Sequence, residues 1–91
     1  MSRYKVHNLR EGSRQGNWLD FWKTETAKEL NCCRVVGCRS KATDGAHVQL
    51  DAPNDRKWYI VPMCHRHNCQ HGKHYTVYGP LAPVNGGAIL L

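Results

Sequence analysis

"VPMCHRHNCQHG", residues 61–72, decides the fold, because Cys64 and His67 stand three positions apart where an extended run meets a turn or helix. Residues three apart share one face of a helix. If a helix begins near Cys64, its thiol and the His67 imidazole meet on the first turn and can point at one ion. Cys69 stands as the alternative to His67, although residues five apart point in different directions on a helix.

The partner of this pair lies upstream in "CCRVVGC", residues 32–38, where Cys33 and Cys38 bracket four residues. Gly37 precedes the second thiol, where a tight turn needs a residue free to adopt positive φ. Cys33 fits a knuckle better than its neighbour Cys32, which is expected as a small buried hydrophobe. Cys32 in place of Cys33 is the remaining alternative. Cys33, Cys38, Cys64 and His67 would make a closed three-thiolate, one-imidazole set, which is a structural zinc site.

Between the two pairs the chain reads as a β-hairpin. "AHVQL" is apolar and β-branched, "DAPND" has turn chemistry, and "KWYIV" resumes a strand that Pro62 is expected to end. The order of knuckle, hairpin, second knuckle and helix predicts a small zinc-stabilised α+β fold of treble-clef type. A metal staple suits the size, since 91 residues form one small domain whose apolar burial alone is marginal.

Upstream, residues 1–16 are polar and rich in Gly, Ser and Arg, and are expected to form a flexible N-terminal arm. Residues 17–91 would form the single zinc-binding domain. It opens on a helix capped by Asn17, in which Trp18, Leu19, Phe21, Trp22 and Leu30 supply an apolar stripe while Lys28 and Glu29 face water. Trp18 and Trp22 are expected in the core rather than stacked on bases. After the second knuckle, Gly72 is a helix stop. "HYTVY" alternates like an edge or half-exposed strand, and Asn85-Gly86 is a hairpin turn. The terminal "AILL" is expected to fold back onto the sheet.

The segment from Cys33 to Gly72, about 40 of the 91 residues, resembles the HNH or ββα-metal superfamily of treble-clef proteins. "GAHV" matches the family's first histidine on the first hairpin strand, and "YIVPMCHRHN" matches the phrase that leads into its helix. The resemblance implies His47 as general base of a phosphodiester hydrolase, with Asn68 or His71 holding a second, catalytic divalent ion such as Mg²⁺. Two departures point to an incomplete site. The family's hairpin asparagine falls about five residues before Cys64, where this chain has Trp58, Tyr59 and Ile60, and the position before the first histidine is Ala46. Without an orienting partner and a held cation, water activation by His47 lacks what the reaction needs. His47 is then read as a core histidine, hydrogen-bonded and packed under the helix.

Thirteen Lys and Arg against seven Asp and Glu give a formal net charge of +6, which attracts a polyanion. No apolar run approaches the about 20 residues that a membrane helix requires, and no apolar leader follows Met1. The reading expected from these features is a soluble, reduced, cytoplasmic, non-catalytic module that binds nucleic acid or a protein partner. The alternatives are an HNH-type endonuclease and a small phage or mobile-element inhibitor or adaptor.

Overall fold

The computed structural model describes residues 2–9, 18–29 and 32–91. Five antiparallel strands form one sheet: β1 (Arg3–Asn8), β2 (Asp44–Leu50), β3 (Tyr59–Met63), β4 (His74–Tyr78) and β5 (Ala82–Pro83), in the order β4-β1-β2-β3-β5. Among the described residues two helices, α1 (Trp18–Thr26) and α2 (His65–Asn68), complete an α+β fold. No helix among the described residues is long and apolar enough to cross a membrane.

The hairpin of β2 and β3 carries the inner core. Val48 pairs with Tyr59 and Ala46 with Val61. All four are buried together with Val6, Val77, Leu81, Met63, Cys33 and Cys64. Because side chains alternate across a strand, Gly45, His47 and Ile60 project from the opposite, outer face. There α1 lies on the sheet: Trp22 is fully buried with Ile60 and Ala82, and its indole Nε1 donates to the Pro80 carbonyl at 2.8 Å. Gly45 makes this packing possible. A Cβ there would sit 2.5 Å from the Leu19 backbone nitrogen and 2.5 Å from the Trp18 carbonyl carbon.

The structure corrects four expectations. Arg3–Asn8, the first part of the expected arm, is strand β1, hydrogen-bonded to β2 on one side and β4 on the other. Its alternation places Val6 and Asn8 in the interior while Arg3 and Lys5 remain exposed, so its mean polarity conceals a half-buried strand. The rest of the expected arm, 10–16, and the Asn17 cap and Leu30 lie outside the described residues. Helix α1 ends at Thr26, short of the expected Leu30, because Ala27 takes a left-handed φ of 57° and the Thr26 hydroxyl donates to the Trp22 carbonyl at 2.7 Å.

Pro62 does not end its strand but sits inside β3, opposite Gly45. Its carbonyl accepts the Arg34 N–H at 3.0 Å. Since N–H and C=O of one strand residue point to the same side, the missing N–H faces away from β2 and costs no bond in that ladder. Finally, Cys32 is exposed rather than buried.

The edges are covered. Val36 N–H donates to Thr76 O and Tyr78 N–H to Arg34 O, both at 2.9 Å, so the knuckle segment occupies the outer side of edge strand β4. At the other end the chain turns after β5 and folds back. Leu81 and Leu90 exchange backbone bonds of 2.8 and 3.0 Å, and Leu90 packs against the inner core.

Candidate metal centre

The first knuckle forms as the spacing predicts. Cys38 N–H donates to Val35 O at 3.0 Å, Cys33 N–H to Ser40 O at 2.8 Å, and Gly37 adopts φ 89°. The second ligand pair starts one helical turn. Cys64 is the N-cap of α2 in extended conformation, its carbonyl accepting Asn68 N–H at 3.0 Å, and His67 lies three residues on.

Packing brings the two segments into one cluster. Cys64 Sγ is 3.1 Å and Cys33 Sγ 3.7 Å from His67 Nδ1, and Cys38 Sγ is 4.0 Å from Cys64 Sγ. One ligand atom from each of Cys33, Cys38, Cys64 and His67 lies within 4.8 Å of every other, so the four could hold a metal ion. Neither open alternative joins them. Cys32 and Cys69 are both exposed, and Cys69 Sγ lies instead 3.2 Å from His65 Nε2.

Cys33, Cys38 and His67 of the cluster are shifted in different directions. Burial pushes the Cys33 thiol up to about 11, with its sulfur neighbours adding to the rise. Burial also acts to raise Cys38, but hydrogen bonds with Ser40, Cys33 and Cys64 outweigh it and hold that thiol below the usual range. Burial, with the Arg66 charge, lowers His67 and so favours the neutral imidazole that a metal ligand must be.

Several residues that position the site carry no local sequence signal. Asn8, buried at the end of β1, donates from Nδ2 to the Asn68 carbonyl at 2.8 Å and lies 3.4 and 3.3 Å from the carbonyls of His67 and Gln70. It thus caps the last carbonyl of a four-residue helix. Tyr75 adds a hydroxyl donated to His67 O at 3.3 Å and stands edge-on to the His67 ring, 5.1 Å away. Asp44 accepts from Asn68 Nδ2 and faces His65 Nδ1, both at 2.9 Å, and so ties α2 to β2. An inward-facing Asn at the end of an alternating strand was the one available hint.

The residues implied by the HNH resemblance are not brought together. His47 is buried under α1, its ring edge-on to Trp18 at 4.8 Å and to Trp58 at 6.1 Å. Asn68 is bonded to Asp44, which projects from β2 on the other face, and His71 Nδ1 donates to the Leu9 carbonyl at 3.2 Å. His47 thus packs against α1, while Asn68 and His71 are tied to Asp44 and Leu9.

The chain matches no family model, no curated protein and no solved structure.

Proposed function

We propose that this protein is a zinc-held, non-catalytic module of treble-clef plan whose open strand face binds nucleic acid. Zinc is favoured by the donor set: three thiolates and an imidazole make a closed structural site. A tetrahedral ion with Zn–S of about 2.3 Å and Zn–N of about 2.0 Å spaces its ligands roughly 3.5–3.8 Å apart. The 3.1–4.0 Å separations between the sulfurs and Nδ1 bracket that value. With all four positions filled by protein, the ion is a staple.

The observation that carries the binding role is the outer face of β1 and β4: among the described residues, α1 packs chiefly on β2, β3 and β5. Register places Arg3 opposite Tyr78 and Lys5 opposite Thr76 on that face. The guanidiniums of Arg3 and Arg34 lie 5.5 and 5.6 Å from the Tyr78 ring centre. Cations beside an aromatic ring on a strand face suit phosphates and stacked bases, and the net charge of +6 supplies long-range attraction.

Fluorescence anisotropy with labelled duplex DNA and single-stranded RNA over a salt series tests this reading. Binding should weaken steeply with salt, and Arg3→Glu with Lys5→Glu should reduce the salt slope by roughly 1 per residue. Equal binding by the double variant would refute the assigned face. Plasmid nicking that requires Mg²⁺ and disappears in His47→Ala would replace this reading with the endonuclease.

A further inference from the structure

At one end of the same outer face, three strands gather two imidazoles and a carboxylate from distant parts of the chain. His7 on β1 stands opposite Gln49 of β2 and His74 of β4. Asp51, just past β2, is fixed by its N–H to Lys5 O at 2.9 Å. Its two carboxylate oxygens lie 2.7 Å from His7 Nδ1 and 2.8 Å from His74 Nδ1, and the two rings stand 5.5 Å apart. One ligand atom from each of the three residues lies within 4.8 Å of the others.

Hydrogen-bond accounting around His7 calls for a positive centre. The Gln49 amide nitrogen donates to the Arg56 carbonyl at 2.9 Å, which can only accept. The amide oxygen is therefore the atom facing His7 Nε2, at 3.2 Å. An amide oxygen cannot donate, so His7 Nε2 carries the proton. In the neutral ring the Nδ1 lone pair then points at a carboxylate oxygen 2.7 Å away. Two acceptors at that distance need a cation to share, either a second ring proton or a metal ion. A histidine that offers one nitrogen while the other donates to a fixed oxygen is the arrangement of a metal ligand held in its tautomer.

We propose that His7, Asp51 and His74 form a second metal site, for a divalent transition ion of the zinc, cobalt or nickel class, separate from the Cys33–His67 cluster. Two imidazoles and a single carboxylate suit these ions, whereas Mg²⁺ and Ca²⁺ take sets made mostly of oxygen. Side-chain exposures of 29% for His7, 25% for Asp51 and 69% for His74 leave solvent access. With three protein ligands, the ion keeps a position open to water or an anion. It also joins edge strand β4 to β1 and the end of β2.

The test is zinc stoichiometry of the full chain, by native mass spectrometry and calorimetry, in wild type, Asp51→Asn and His74→Ala. Wild type should take up one more zinc ion than either variant. The variants should keep the wild-type circular dichroism and bind that additional ion at least roughly tenfold more weakly. Gln49→Leu should weaken the same ion without abolishing it. Long-range ¹H–¹⁵N spectra should show the His7 and His74 Nδ1 resonances moving as the additional ion binds. Because the readout is the difference between wild type and variants, it does not depend on whether the cysteine cluster loads. Equal stoichiometry in all three proteins overturns the proposal. So does a His7–Asp51–His74 group that only titrates with protons and leaves zinc unbound at hundreds of micromolar.

Discussion

Cys64 Sγ stands 3.1 Å from His67 Nδ1 within one helical turn, and Cys38 Sγ, 26 positions earlier in the chain, reaches to 4.0 Å from the same sulfur. Loss of that junction should cost most of the fold. Zinc binding by such a set is worth on the order of 10 kcal/mol, comparable with the whole stability of a small domain, about 5–15 kcal/mol. A strong chelator, or Cys38→Ser, is expected to abolish cooperative thermal unfolding followed by circular dichroism. Cys32→Ser, at an exposed position, should melt like wild type within about 0.5 kcal/mol. Cooperative melting of chelated protein at the wild-type temperature contradicts the staple.

Gly45 and Trp22 govern the docking of α1. Gly45→Ala drives a methyl to 2.5 Å from the α1 backbone, which cannot yield as a side-chain tip would. A cost of about 1–3 kcal/mol or more follows from overpacking. Trp22→Ala empties a fully buried site and should cost about 3–5 kcal/mol. Urea titration measures both, and wild-type midpoints would show that α1 does not rest on β2 as described.

Asp44 links stability to acid. Burial acts to raise its carboxyl, but hydrogen bonds from Asn68, His65 and Thr43, with the His65 charge, prevail and hold it below its ordinary value. A carboxylate lowered in the folded state stabilises above its unfolded value of about 4. That contribution is lost as pH falls below about 4 through the folded value. Asp44→Asn should cost about 1 kcal/mol at neutral pH, and the gap to wild type should close in acid. A gap that does not narrow as pH falls progressively below about 4 in urea titrations rules out this linkage.

His47 separates scaffold from enzyme. It is 5% exposed and edge-on to Trp18, and the proposed non-catalytic reading makes it a packing residue. His47→Ala should lower stability by about 1–3 kcal/mol and leave nucleic-acid affinity unchanged at a temperature where the variant is folded. Anisotropy and urea titration on the same preparation separate the two effects. A stable variant with lost affinity would reverse the assignment.

What the chain discloses on its own is local. Ligand spacing in "CCRVVGC" and "CHRH", the left-handed turn at Gly37, the β2–β3 hairpin and the buried Trp22 each depend on neighbours within a few positions. Such features repeat wherever the local pattern does. The pairing of β1 was hidden because half of its side chains face water, and the C-terminal cap of α2 comes from Asn8, 60 positions from Asn68. Strand order and register also decided which face His47 takes and that His7 meets Asp51 and His74. Only chain closure over tens of residues creates those contacts, and their energies belong to pairs of segments, so no window read along one segment contains them.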